Sequence, residues 1–331
     1  MLIVLSMMLA LLVAFGIARL RPSWSQCQKE VAIREPGSRV LGLPKDAADE
    51  AAACIDYAII SLIVYRSCYP HRVPRLIRAS ANELRRRGWH EWEYFVSRKK
   101  RKTDTAASRA ISRTNLHVEV WSREDPPEVV VAFTGTYFVS LRDWLTNLRW
   151  FFPLRYLPGF KDQYMTVAET VGKKFIDEFK HLAGLQSRSY LNHARIIATG
   201  HSLGGGLAQH FAYSLPLDDS VPRVSHVYGF DPSPVTGFFS VAKATRERNA
   251  KHLKIDRIYE RGEILAAARM ILAILLRPSR TRPLIRELRF SLCDSINPIT
   301  NHSVPTLVRG LRRLSRPVRR IRRPAVRELV H

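Results

Sequence analysis

Acidic residues are scarce in this chain: 29 Asp and Glu stand against 53 Lys and Arg, most of them arginine, for a formal net charge of +24. That deficit excludes a neutral surface and favours polyanions, meaning nucleic acid or an anionic lipid surface. Cysteine is sparser still. Cys27, Cys54, Cys68 and Cys293 form no C-x-x-C pair and no metal-ligand spacing, which excludes a zinc ribbon and a disulfide-dense scaffold. Cys54 and Cys68 lie on or beside one apolar segment and read as core thiols, although an exported chain would permit one disulfide. Internal repeats are absent, which excludes solenoids and propellers. No Lys or Arg precedes the first apolar run, so an ordinary signal peptide fits poorly. Glycine is rationed to 16 in 331 residues, yet four of them fall between positions 200 and 206.

The first apolar run, residues 1–18, is broken only by Ser6 and reads as a membrane anchor or signal peptide. Gly16 and Ala18 would permit cleavage after Ala18. Arg19, Arg21, Lys29, Arg34 and Arg39 would instead hold that flank in the cytoplasm. The cues conflict, an uncleaved anchor fits slightly better, and the topology stays open. No cysteine stands at a lipobox-like position. The protein is expected to be membrane-associated or exported. Residues 19–46 read as a polar, proline-containing linker, 47–308 as the folded domain, and 309–331 as an arginine-rich tail. Within that tail Leu311, Leu314, Val318 and Ile321 recur at helical spacing among arginines, as in an interfacial basic helix. A second basic run, 98–113, reads as a solvated loop.

Within 47–308 the hydrophobic periodicity predicts helices at 47–68, 73–90 and 162–184. Strands are expected at 115–123, 127–136, 195–200, 224–234 and 252–265. Strands and helices alternate, so the expected class is α/β, with a mostly parallel central sheet and helices on both faces.

The clustered glycines frame Gly200-His201-Ser202-Leu203-Gly204, a G-x-S-x-G motif. A serine at the tip of a tight strand-to-helix turn needs neighbours without a Cβ on either side. Upstream, "ARIIATG" is a short β-branched run. Downstream, Leu203, Leu207, Phe211 and Leu215 recur every four residues. Strand, turn and helix are the context that makes Ser202 a nucleophile rather than a turn residue. Such a serine needs a histidine to take its proton and an acid to orient that histidine. After the 252–265 strand only His302 and the terminal His331 remain, and a chain end is a poor base. His302 lies in the loop-like run before a final helix. Asp231, Asp256 and Glu263 are the candidate acids. Asp256 lies inside its strand and reads as structural, which leaves Glu263 and Asp231 open, with Glu263 ahead on spacing. The developing oxyanion would be met by the N–H of Leu203 and by the strand end at Gly135 and Thr136, whose N–H groups are expected to be free. The stripe Leu141, Trp144, Leu145, Leu148 suits a lid over an acyl site.

These features resemble the class 3 lipase family of α/β-hydrolases, over about residues 48–315. The resemblance rests on "VVVAFTGT…LRDWLTNL", "IIATGHSLGGGLAQHFA" and "RIYERGEIL…NHSVPTL". It implies Ser202 as nucleophile, Thr136 as oxyanion residue, residues 140–148 as lid, and His302 as base. The family acid follows a late strand in a segment ending [DE]-I-[VL], which favours Glu263 in "GEIL" over Asp231. The family's usual Asp makes Glu263 a departure. The apolar stretch 264–276 is no core feature of the family; thirteen residues with Arg269 inside are too few to span a bilayer, so a buried helix is expected. The implied activity is hydrolysis of lipid carboxylic esters by a Ser-His-acid triad, with no cofactor or metal. The implied partners are a lipid ester substrate and an anionic membrane surface, with no specific nucleic acid. The competing reading is a catalytically silent hydrolase fold that binds a membrane or protein partner.

Overall fold

The segment Glu-Val-Val-Val-Ala-Phe is buried at every position, as a strand covered on both faces must be. It forms β5 (Glu128–Phe133), third from one edge of a sheet that has nine strands among the described residues, in the order β2-β1-β9-β8-β7-β6-β5-β4-β3. This is a computed structural model. It describes residues 30–69, 72–92, 95, 116–135, 163–234, 236–266, 269, 282–292, 295 and 297–315. Strands β5, β6 (Arg195–His201), β7 (Val224–Phe230), β8 (Lys254–Glu260) and β9 (Leu284–Phe290) run parallel. Antiparallel β4 (Val118–Arg123) and β3 (His90–Glu91) flank one side, and β1 (Glu30–Arg34) and β2 (Lys45–Asp46) the other.

Side chains alternate across the strands, so each face carries its own core. On one face Val130, Ala132, Ile197 and Phe230 pack with α1 (Ala48–Ile63), α2 (Arg75–Arg86) and α7 (Val304–Leu314). On the other, Val129, Val131, Phe133 and Ala198 pack with α3 (Gly172–Ala183) and α4 (Leu203–Ser214). A π-helical turn, Val167–Val171, leads into α3, and α5 (Lys243–Ala250) packs beside α4. Helix α1 and the 3-10 turn that extends it, Val64–Cys68, are together long and apolar enough to cross a membrane. Their apolar side chains are instead spent on the sheet and the neighbouring helices: Ala58, Ile59, Ile60 and Ile63 are wholly buried.

The structure departs from the expected boundaries at both ends. Residues 30–34, expected within a linker, form β1 and pair with β9, because Val31, Ala32 and Ile33 are buried against the core. Strand β9 itself escaped notice. Its charged positions hid the alternation: Arg286 pairs with Glu50 and Asp256, and Glu287 pairs with Arg34 and accepts from the Tyr259 hydroxyl. Helix α7 runs through the expected boundary at 308, since Leu311 is wholly buried and Leu314 packs against the core. Leu311 and Leu314 therefore serve the core rather than a free interfacial helix. Residues 1–18, 98–113 and 316–331 lie outside the described residues, as do the expected lid and most of 264–276.

Helix α1 as core, not membrane span, predicts that Ile59→Ala costs about 2–5 kcal/mol, the ordinary cost of emptying a buried aliphatic site. A denaturant midpoint measures it; an unchanged midpoint would contradict this placement.

Candidate active site

The site lies at the carboxyl end of the parallel strands, where an open α/β sheet gathers ligand-binding groups. Ser202 follows β6 and caps α4 with φ 56° and ψ −125°. That conformation is strained for a residue with a Cβ. Strand and helix approach so closely that a Cβ on Gly200 would stand 2.3 Å from the carbonyl oxygen of Gly204. Backbone bonds on both sides hold the turn: Ser202 N–H donates to Phe230 O at 2.9 Å, and Ser233 N–H donates to Ser202 O at 2.9 Å. Leu203 opens α4, whose first N–H groups have no partner within the helix.

His302 follows the short helix α6 (Pro298–Asn301). Its Nε2 lies 3.0 Å from Ser202 Oγ, and its Nδ1 lies 2.7 Å from Glu263 Oε2. Glu263 sits in the loop after β8. The same Oε2 accepts Leu265 N–H at 2.9 Å, and Oε1 is in close contact with Arg269. A carboxylate so paired only accepts, so His302 Nδ1 carries the proton and Nε2 presents its lone pair to the Ser202 hydroxyl. All three side chains are buried. Burial pushes the His302 imidazole down to about 4, with the Asp231 charge opposing and the Arg269 charge adding to the fall. The ring is therefore neutral near pH 7, as a proton acceptor must be.

A second chain of hydrogen bonds passes behind the first. His201 Nε2 lies 2.8 Å from the His302 carbonyl oxygen, which can only accept, so that nitrogen bears the proton. His201 Nδ1 then accepts the Tyr65 hydroxyl at 3.1 Å, and the Tyr65 oxygen accepts Gly135 N–H at 3.1 Å. Gly135 N–H, expected to be free, is thus engaged; the correction follows from Tyr65, at the start of the α1 extension, reaching the strand end. Thr136 lies outside the described residues. Burial, with the neighbouring His302, holds His201 well below the usual imidazole range.

Asp231 follows β7, one strand before Glu263. It lies beside His201 and His302 but outside the serine–histidine chain. Asp256 is held by Arg286 and His226 within the sheet, in keeping with a structural part. Tyr65, His201 and Arg269 were missed as site residues, since no motif marks a tyrosine after a core helix or an arginine in a loop. His201, Asp231 and His302 offer ligand atoms within 4.8 Å of one another. Each imidazole nitrogen in that group is already hydrogen-bonded, so a metal would have to break one of those bonds.

Residues 130–265 match the family described as Lipase (class 3). The match runs from β5 through the elbow to the Glu263 loop and supports a lipase-type hydrolase acting on lipid esters. With its largely parallel sheet and strand–serine–helix elbow, the architecture is that of an α/β-hydrolase. Solved structures that align with the chain include a fungal lipase in an inhibitor complex, at 16% identity and TM-score 0.40, covering 72% of this chain and 78% of that one. Rhizomucor miehei lipase in a propeptide complex aligns at 16% identity and TM-score 0.39, covering 73% and 71%. Lipase II from Rhizopus niveus aligns at 13% identity and TM-score 0.39, covering 69% and 74%. No curated protein matches the chain.

Tyr65→Phe leaves Gly135 N–H and His201 Nδ1 without their partner, so a thermal or denaturant melt is expected to show a loss of about 1–3 kcal/mol. Stability should also depend on pH. The unfolded chain protonates its histidines near pH 6.5, whereas folded His302 does so only near 4. Stability is complete above about pH 6.5 and falls as pH drops toward about 4. A melting temperature that rises across that window would contradict neutral buried imidazoles.

Proposed function

We propose that this protein hydrolyses carboxylic esters of lipids, as a lipase or phospholipase, through an acyl-enzyme on Ser202. The observation that carries this reading is the continuous hydrogen-bonded chain from Ser202 through His302 to Glu263, at a positive-φ elbow. Ser202 Oγ attacks the ester carbonyl carbon, and its proton passes to His302 Nε2. Glu263 keeps the ring in the tautomer that can accept that proton. The oxyanion is met by the N–H of Leu203 and by a second N–H at the end of β5, for which Thr136 is the candidate. Collapse expels the alcohol, which takes the proton from His302. Water then attacks the acyl-enzyme, giving its proton to His302, and the acid leaves with Ser202 restored. No step draws on a metal or a cofactor.

The net charge of +24 favours an anionic phospholipid surface as the place where substrate is met. The apolar residues 1–18 would hold the protein at, or deliver it through, a membrane.

Release of p-nitrophenol from short- and medium-chain acyl esters tests the reaction. Ser202→Ala and His302→Ala are each expected to lower kcat by roughly 10³-fold or more. Activity that survives in Ser202→Ala would overturn the mechanism. The acid limb of kcat/KM should lie well below pH 6.5, toward about 4, because the base stays neutral to that pH.

A further inference from the structure

Two charges beside His302 remain once the serine–histidine–glutamate chain is accounted for. One is Asp231. It is wholly buried, just after β7, with φ 41°. Its Oδ1 accepts Glu260 N–H at 3.0 Å. Its Oδ2 has no hydrogen-bond partner among the described residues and lies 3.9 Å from His201 Nε2. That nitrogen has already given its proton to His302 O. A buried carboxylate oxygen without a partner is costly, and its retention beside two imidazoles calls for a use.

The other charge is Arg269. It donates to Pro232 O at 2.9 Å, lies 4.6 Å over the Tyr259 ring, and contacts Glu263 Oε1. The Glu263–Arg269 pair presents almost no net charge to His302. Yet His302 is the group that must become a cation in this water-poor pocket. Arg269 opposes that cation, and Asp231 favours it.

We propose that Asp231 is a positioning residue acting through His302: it supplies the net negative charge that stabilises the imidazolium, while Glu263, neutralised by Arg269, sets the ring's tautomer and orientation. The two carboxylates that the sequence left as rivals thereby divide one task. When Ser202 Oγ bonds to the ester carbon, its proton goes to His302 Nε2. Asp231 and Glu263 stay ionised, and neither takes that proton. Among the described residues, the other ionisable groups about this centre are accounted for. His201, from β6, is neutral and tied to Tyr65 at the start of the α1 extension. Glu260, from β8, turns its carboxylate to Leu292 N–H. Tyr259 lies under Arg269, and Arg257 and Glu287 act on Arg269 from β8 and β9 with opposing signs. Burial pushes the Asp231 carboxyl up, and the charges of His302 and Arg269 draw it back.

The inference rests on the reading of Ser202 as nucleophile, and the pH profile of ester hydrolysis tests it apart from that reading. Arg269→Gln is expected to raise the acid limb of kcat/KM by about one pH unit or more, into an easily measured range. Adding Asp231→Asn in that background is expected to lower the limb again. Asp231→Asn alone is expected to reduce kcat by roughly tenfold with KM unchanged and the melting temperature no lower, since Asn still accepts Glu260 N–H. A limb that stays put on adding Asp231→Asn would overturn the proposal. If Arg269→Gln does not fold, Asp231→Asn alone decides, and an unchanged kcat overturns it. Activity that persists in Ser202→Ala would sink the underlying mechanism instead. A silent Ser202→Ala with an unmoved limb sinks only the role given to Asp231.

Discussion

Where β6 runs into α4, backbone touches backbone. A Cβ on Gly204 would stand 2.2 Å from the carbonyl oxygen of Phe133 on the neighbouring strand, so no side chain fits there. That close approach is what turns Ser202 out of the sheet with a positive φ. The strain, about 1–3 kcal/mol for such a conformation, is held by bonds from β7 and from the segment after it. Every other group of the site is placed relative to this turn. Asp231 follows the next strand, Glu263 the one after, and His302 comes from the segment that leads into α7.

Two hydrogen-bonded chains cross at His302. One runs through its ring, from Ser202 to Glu263; the other runs through its backbone oxygen to His201, Tyr65 and Gly135. Each chain has one consistent direction, because each ends on a group that can only donate or only accept. The second chain ties the end of β5, where an oxyanion donor is expected, to the histidine loop. A buried tyrosine at the start of the α1 extension thus joins the two loops. The low dielectric that makes these bonds strong also makes any charge costly, so the balance among Glu263, Arg269 and Asp231 governs how readily His302 accepts a proton.

Much of this was legible in the residues. The elbow was visible because its glycines, its β-branched strand and its four-residue helical stripe all agree. His302 was reachable by chain order alone, since only a terminal histidine competes with it. The acid was harder. Asp231 and Glu263 both follow strand ends, and one strand of difference in the sheet is invisible to spacing. Tyr65 and Arg269 were out of reach because their partners lie 70 and 6 residues away with no recurring pattern to join them. Strand β9 was hidden by charges that are solvent-like in sequence and ion-paired in the fold, and β1 by its shortness within a polar stretch. In both, tertiary pairing overrode a weak local signal.

Covalent labelling tests the central claim, an activated serine at the elbow, most directly. A p-nitrophenyl phosphonate ester is attacked as an ester would be but does not complete the cycle, and mass spectrometry of the digested protein locates the adduct. The account predicts stoichiometric modification at Ser202 in the intact protein and almost none when His302 is replaced by alanine. Modification of a different residue, or labelling of Ser202 at an undiminished rate without His302, would contradict it.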